Sequence, residues 1–271
     1  MPIAPPLRPE SSASAELPTL IGEKIGLAQA TRGSPELQHD DADLVALFAA
    51  LRARYGNALR AVLLYGSYTR GERDTLIDLY VLTEGDIPSA ALPHWQRVAN
   101  RVLAPNVYQL SVSTGARCKY ALLPLTAFER HLRRDFHPYF WARFAQPCRV
   151  LYVEDAGIAA RLEEALAGAV RRMLTEGRRG LPDAASSPQA LWEHALSSTY
   201  RCELRAESGQ RAAQLVERNR EYLMALAEAC GGRRPERSRR RLPGGRSRPW
   251  PVAGAGRCAR LGVRALASRA C

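Results

Sequence analysis

The sequence predicts an α/β protein, with a mixed-sheet domain over residues 39–155 followed by a mainly helical domain over residues 156–230. The first domain is predicted by two short apolar runs, at 61–65 and 76–82, that suit buried strands and are separated by a Gly-Ser pair. The second is predicted because the long stretches after residue 155 have the apolar spacing of helices.

The two ends of the chain have compositions that oppose a packed core. Residues 1–38 are rich in Pro, Ala and Ser, so we expect a loosely ordered segment. Residues 231–271 hold twelve arginines and one acidic residue, Glu236, and are predicted to be a disordered tail. This tail carries +11 of the net charge of +12, which leaves +1 for residues 1–230. It is either a patch for nucleic acid or anionic membrane, or a solvated terminus, and we favour the solvated terminus.

The elements follow in chain order from apolar spacing and turn residues. A helix is predicted over 40–55, because acidic residues occupy its first turn and Gly56 follows it. The turn residues at 113–116 predict a hairpin between strands at 107–112 and 118–125. The remaining predicted elements are helices at 92–104, 128–144 (interrupted at His137 and Pro138), 157–175, 187–207 and 210–230, and a strand at 149–153.

The stretch from residue 61 to residue 83 carries the strongest chemical signal. Gly66 and Ser67 stand where the first strand ends, and such a turn lets the backbone approach a phosphate closely. Asp78 lies on the second strand between Ile77 and Leu79, so its carboxylate projects to the opposite face from these apolar neighbours. A carboxylate beside a phosphate-binding turn suits a Mg²⁺-nucleotide. The alternative is an ordinary strand-turn-strand with a solvated aspartate.

Cysteine usage and hydropathy indicate the compartment. The six cysteines form no CxxC pair and have no metal-ligand spacing, so we expect free thiols in a reducing compartment. The N-terminal segment lacks the apolar core of a signal peptide, and no run approaches the ~18–20 apolar residues of a membrane span. We therefore expect a cytoplasmic protein with no transmembrane segment, soluble or attached peripherally to a membrane.

With Tyr65, Gly66 and Ser67 followed by the strand sequence IDLYVL, the chain resembles the nucleotidyltransferase superfamily. The superfamily pattern has a second acidic residue on that strand, where this chain has Tyr80. The mitochondrial-type phosphatidate cytidylyltransferases, the translocator assembly and maintenance family, have a similar turn and a single-aspartate strand. The resemblance implies a nucleotidyltransferase-like fold for the sheet domain.

Three further blocks resemble that family in the same order, and the resemblance covers residues 61–205, about half of the chain. The segment 106–108 with Lys119 and Tyr120 is similar to the family's Gly-Val-Tyr and Lys-Tyr strands. The segment 141–147 is similar to its Gly-Arg-Leu…Lys-Pro segment. The segment 198–205 is similar to its Ser-Tyr-x-Gly-Asp-x-Arg segment, with Cys202 in place of Gly and Glu203 in place of Asp.

The resemblance implies a Mg²⁺-dependent reaction of CTP with phosphatidic acid that yields CDP-diacylglycerol and pyrophosphate, a step of phospholipid biosynthesis. It implies that Asp78 is the metal ligand, that Gly66 and Ser67 hold the nucleotide phosphates, and that Arg143 and Arg205 bind substrate phosphates. Glu203 would supply the second metal carboxylate, and its alternative is a charge on a helix surface. For the two arginines the alternative is a surface ion pair.

Lys119 is a candidate catalytic residue, since it is one of only two lysines beside 37 arginines and a compact ammonium suits a phosphate contact. Its alternative is a lysine at a strand edge with its stem on apolar surface. The partners implied are CTP and phosphatidic acid at an anionic membrane surface, which places the protein at the inner membrane surface. Nucleic acid is disfavoured because the body is near neutral. The other functions left open are nucleotidyl transfer to another small molecule or to a protein, and non-catalytic nucleic-acid binding through the tail.

Overall fold

The computed structural model describes residues 13–73, 75–85, 87–88, 90–102, 105–134, 138–179, 181, 187–202 and 208–231. These residues form a mixed α/β fold around one six-stranded sheet. The strands are β1 (Thr31–Arg32), β2 (Leu59–Tyr65), β3 (Ile77–Thr83), β4 (Asn106–Ser111), β5 (Arg117–Pro124) and β6 (Arg149–Val153). The helices are α1 (Ala13–Lys24), α2 (Ala42–Tyr55), α3 (His94–Val102), α4 (Leu125–Arg134), α5 (Tyr139–Phe144), α6 (Ala156–Arg178), α7 (Pro188–Cys202), α8 (Ser208–Arg218) and α9 (Arg220–Gly231).

The sheet has the strand order β1-β6-β2-β3-β5-β4. β3 and β5 are parallel, as are β1 and β6, whereas the other neighbouring strands are antiparallel. The predicted hairpin at 113–116 joins β4 to β5, with Gly115 at a φ of 88°. Because β2 runs against its neighbours β3 and β6, its C-terminal end lies beside the first residues of both strands.

Alternation along the strands divides the buried side chains between the two faces of the sheet. One face, with Leu63 and Tyr80, packs in a single apolar cluster with buried residues of α1 and of α4 to α9. The other face, with Val62 and Leu79, packs against α2. The helices after residue 155 therefore share a core with the sheet, and the predicted division into domains at that residue stays a prediction.

The N-terminal segment differs from the expectation of loose order over residues 13–38. α1 packs against α6 and α9, and Leu17, Ile21 and Ile25 are buried at a spacing of four residues. Lys24, the last residue of α1, forms an ion pair of 2.8 Å with Glu221 of α9. Composition was a poor guide here, because Pro18 lies inside a helix whose apolar face is covered by distant parts of the chain.

The predicted helix over 210–230 is two helices in the structure. α8 ends at Arg218 and α9 begins at Arg220, and the side chain of Asn219 between them donates a hydrogen bond of 2.9 Å to the Leu215 carbonyl. α7 is described to Cys202. The predicted disorder of the arginine-rich tail concerns residues that lie, after Gly231, outside the described part of the chain.

Candidate functional site

The register of the sheet brings together three residues of the predicted site. Tyr65 at the end of β2 is paired with Asp78 of β3, and Asp78 is paired with Lys119 of β5. Gly66 follows Tyr65 directly, so the turn, the carboxylate and the lysine meet at one end of three adjacent strands. The three residues lie close together because β3 pairs antiparallel with β2 and β5 pairs parallel with β3.

Gly66 is required at its position for two separate reasons. Its backbone has a φ of 85° and a ψ of −156°, a conformation that residues with a side chain rarely adopt. A Cβ added at this position would lie 2.9 Å from Asp78 Oδ2. The absence of a side chain therefore lets the Asp78 carboxylate lie directly against the turn.

Asp78 and Lys119 form a close ion pair that makes no hydrogen bond. Lys119 Nζ lies 3.2 Å from Asp78 Oδ1, yet among the described residues Oδ1 has no hydrogen-bond donor. The distance alone would allow a hydrogen bond, so the angle of approach must be unfavourable. The side chains of Asp78 and Lys119 are 24% and 44% exposed, so water screens the attraction between them. Oδ1 is thus a buried carboxylate oxygen whose one close cationic neighbour among the described residues is Lys119.

The position of the second carboxylate in the superfamily pattern is filled by an aromatic cluster. Tyr80 is buried, and its ring centroid lies 4.7 Å from that of Tyr65 and 4.7 Å from that of Phe144. Within the described ranges, no group of three His, Cys, Asp or Glu side chains could hold a metal ion. Asp78 alone still fits a Mg²⁺ that arrives with a nucleotide, because Mg²⁺ commonly takes one or two carboxylates together with phosphate oxygens and water.

The turn after Gly66 is fixed by short-range hydrogen bonds. Ser67 Oγ donates to Thr75 Oγ1 at 2.9 Å. The Gly66 carbonyl accepts from Thr69 Oγ1 at 2.7 Å and from Arg70 Nη1 at 3.0 Å. The proton of the Ser67 hydroxyl is therefore used inside the turn in this structure.

Asp41 ties the segment after the turn to the start of α2. Its carboxylate accepts hydrogen bonds from the N–H groups of Asp43 and Leu44, which caps the helix. Oδ2 of the same carboxylate accepts from the Tyr68 hydroxyl and from Arg73 Nη1, each at 2.7 Å. Burial by itself would raise the pKa of Asp41, but the hydrogen bonds from Tyr68 and Leu44, with the charge of Arg73, together lower it.

A cleft of about 570 Å³ opens beside the turn. Its walls come from the end of β2, from α5 and the residues after it, and from α8. Four arginines line it, and none of the described residues that line it is Asp or Glu. Its polar lining consists mainly of Arg70, Arg143, Gln146, Gln210, Arg211, Gln214 and Arg218. A cleft with this lining is suited to a multiply charged anion.

Arg143 is the one arginine of this cleft that the sequence analysis assigns to the site. Its guanidinium carbon lies 4.6 Å from the centre of the Tyr65 ring, a cation–π distance. Tyr65 precedes Gly66, so this stacking holds Arg143 next to the turn. The structure therefore places Arg143 in the cleft with Gly66, whereas Asp78 and Lys119 lie on the strands beside it and do not line the cleft. Glu203 and Arg205 lie outside the described residues.

The contribution of α8 to the cleft was not predicted from the sequence. Arg211, Gln214 and Arg218 are spaced i, i+3 and i+7, which places them on one face of a helix. The buried residues Ala212 and Val216 occupy another face. The separation of an arginine face from an apolar face is visible in the sequence and predicts an amphipathic helix. The residues near α8 in the chain do not indicate which other element the arginine face contacts.

The cysteine that lines the cleft has an unreactive thiol. Cys148 lines the cleft, and burial raises the pKa of its thiol to about 12. The described cysteines Cys118, Cys148 and Cys230 form no disulfide. A protonated thiol is a poor nucleophile and a poor metal ligand, so Cys148 is not a candidate for either role.

Comparison with known proteins adds no further assignment. No protein-family model matches the chain, and no match was found among curated proteins. In the part of the chain that the structure describes, no helix combines the length and apolar character needed to cross a membrane.

Proposed function

We propose that this protein is a nucleotidyltransferase of the phosphatidate cytidylyltransferase type, with a nucleotidyltransferase-like sheet. One observation carries the proposal: the Gly66 turn and Asp78 meet beside a cleft lined by four arginines and by no described acidic residue. The resemblance over residues 61–205 supplies the specific reaction, transfer of a cytidylyl group from CTP to phosphatidic acid. The expected setting is the face of an anionic membrane.

The proposed roles follow from the positions of the residues. Asp78 would hold Mg²⁺, which when bound would neutralise charge on the nucleotide phosphates. The Gly66 turn would let these phosphates approach the backbone closely, with Ser67 beside them. Lys119, next to Asp78, and Arg143, stacked on Tyr65, would contact the phosphate oxygens.

The proposed reaction needs little covalent chemistry from the protein. A phosphate oxygen of phosphatidic acid forms a bond to the α-phosphorus of CTP. The bond from that phosphorus to the oxygen bridging to the β-phosphate breaks, and pyrophosphate leaves with the electron pair. Because the acceptor is already an anion, its attack requires no general base. Positioning and charge neutralisation in the cleft would supply most of the rate enhancement.

The direct test is incubation of the purified protein with radiolabelled CTP, phosphatidic acid vesicles and Mg²⁺, with chromatographic detection of labelled CDP-diacylglycerol. Matched reactions replace CTP by ATP, GTP or UTP and phosphatidic acid by soluble phosphate monoesters. We expect labelled lipid with CTP only. Label transferred to a soluble acceptor or to the protein itself would contradict the lipid assignment.

The variant Asp78→Asn is the control within this assay. It removes the charge that would bind the metal with little change in volume, so we expect turnover to fall by roughly 10²–10³ or more. The melting temperature should stay close to that of the unchanged protein, because Asp78 has no hydrogen bond to Lys119 to lose. Activity within threefold of the unchanged protein would remove Asp78 from the metal site.

A further inference from the structure

The arginine face of α8 forms one wall of the cleft. Arg211 and Arg218 are both exposed and both line the cleft. They are seven residues apart, which on a helix separates them by about 20° around the axis and about 10 Å along it. Gln214 lies between them on the same side of the helix. Two guanidinium groups and an amide therefore face the cleft from one rigid element.

The acidic residue of α8 is directed elsewhere. Glu217 forms an ion pair of 2.6 Å with Arg220, and neither residue lines the cleft. The charge of Glu217 is thus offset by Arg220 of α9, whereas Arg211 and Arg218 line the cleft.

The cations of this wall contrast with arginines elsewhere in the described structure. Arg60, Arg161, Arg171 and Arg179 each form an ion pair with a glutamate. Within the described ranges, no ion pair joins Arg211 or Arg218 to a carboxylate. Like charges gathered on one wall repel each other, and a bound anion would relieve this repulsion.

We propose that Arg211 and Arg218 bind a phosphate monoester dianion, the acceptor of the nucleotidyl group. This inference rests on the proposed function, which puts the nucleotide phosphates against the Gly66 turn and Asp78. The attacking oxygen and the leaving pyrophosphate must lie on roughly opposite sides of the α-phosphorus. The acceptor therefore needs a part of the cleft other than the turn, and α8 supplies cleft-lining cations outside the turn. Two guanidinium groups match the two charges of a phosphate monoester.

The test measures binding of each substrate separately, by titration calorimetry on the full chain. The acceptor probe is dihexanoyl phosphatidic acid, used below its micelle concentration, and the nucleotide probe is CTP with Mg²⁺. The variants are Arg211→Gln and Arg218→Gln. The matched control is Arg220→Gln, which removes the same charge from the helix that follows, outside the cleft. Circular dichroism melts confirm that each variant is folded.

We expect each cleft variant to weaken phosphatidic acid binding about tenfold or more, with CTP binding within about twofold of the unchanged protein and with no effect of Arg220→Gln. Weaker CTP binding with unchanged phosphatidic acid binding would overturn the inference, because the arginines would then hold the nucleotide. Equal loss of both ligands, or an effect no larger than that of Arg220→Gln, would also overturn it.

A second arm identifies the source of the phosphate. Glycerol 3-phosphate carries the same phosphate without acyl chains, and arginine-dependent binding of either compound supports the phosphate monoester site. Preference for the acylated compound indicates a lipid acceptor, and equal affinity indicates a soluble one. Failure of the proposed function is distinguishable: arginine-dependent binding of phosphatidic acid without CDP-diacylglycerol formation overturns the cytidylyltransferase reaction and leaves the anion site in place.

Discussion

At the scale of single residues, the contact between Gly66 and Asp78 is the most constrained feature of the site. The positive φ of Gly66 and the proximity of Asp78 Oδ2 both exclude a side chain at this position. The other oxygen of the same carboxylate, Asp78 Oδ1, lies 3.2 Å from Lys119 Nζ without forming a hydrogen bond to a described residue. Tyr80, two residues along β3, leaves Asp78 as the one carboxylate that this strand provides.

We predict that Gly66→Ala lowers the free energy of unfolding by more than Gly115→Ala does, as measured by urea denaturation. Both glycines have a positive φ near 85–88°, so both substitutions carry a backbone strain of about 1–2 kcal/mol. Only at Gly66 does the new methyl group meet a neighbour, Asp78 Oδ2 at 2.9 Å, whereas a Cβ at Gly115 meets nothing within 4 Å. Equal losses for the two variants would show that the carboxylate can move away from the turn.

At the scale of elements, Asp41 couples the start of α2 to the segment that follows the Gly66 turn. Oδ1 of Asp41 caps the helix, and Oδ2 accepts hydrogen bonds from Tyr68 and Arg73. A displacement of the α2 N-terminus therefore also displaces the segment after the turn. The guanidinium of Arg73 also lies 4.4 Å from the centre of the Tyr68 ring, which reinforces the same contact.

We predict that Asp41 makes the protein lose stability on acidification. Its pKa is lower in the folded than in the unfolded protein, so its contribution is fully present above its unfolded pKa of about 3.9 and is lost as the pH falls through the folded value. Asp41→Asn keeps a helix-capping side chain but no charge. Urea denaturation at pH 6 and at pH 3 should therefore show a smaller acid-induced loss for this variant, by about 1 kcal/mol. Identical pH dependence in the two proteins would contradict the role of the charge.

α1 is an element whose importance only its packing reveals. Ile21 of α1 is fully buried where α1 packs against α6 and α9, whereas Glu23, two residues later, is exposed. We predict that Ile21→Ala lowers the free energy of unfolding by about 2–5 kcal/mol and that Glu23→Ala changes it by less than about 0.5 kcal/mol. Urea denaturation measures both, and a small effect of Ile21→Ala would mean that the core does not depend on α1.

At the scale of the whole molecule, positive charge occurs in two separate places. One is the cleft with its four arginines, and the other is the tail after Gly231, which carries +11. Residues 1–230 together carry a net charge of only +1, because acidic residues balance most of their arginines. The cleft and the tail are therefore separate concentrations of positive charge.

We predict that deletion of residues 232–271, which leaves α9 intact, scarcely changes the melting temperature, because the tail is expected to contribute no core. If the tail helps the protein reach anionic lipid, the deletion also weakens binding to vesicles that contain phosphatidic acid, and the difference shrinks as salt is added, since surface charge is screened over about 10 Å at 0.1 M. Unchanged vesicle binding would identify the tail as the solvated terminus that we favour. A fall in melting temperature of several degrees would show that the tail packs on the body.

The sequence by itself determined the local features of this protein. Apolar runs with turn residues between them predicted β2, β3, β5 and the hairpin, because strand pairing over a short connection depends on nearby residues. The same reasoning selected Gly66 and Asp78, whose meeting needs only an antiparallel return over ten residues or so. Tertiary structure decided the burial of α1, the packing of aromatic rings around Tyr80, and the placing of α8 in the wall of the cleft beside the turn. These depend on contacts between residues far apart in the chain, 64 positions for Tyr80 and Phe144 and more than a hundred for α1 and α6, and no local pattern encodes them.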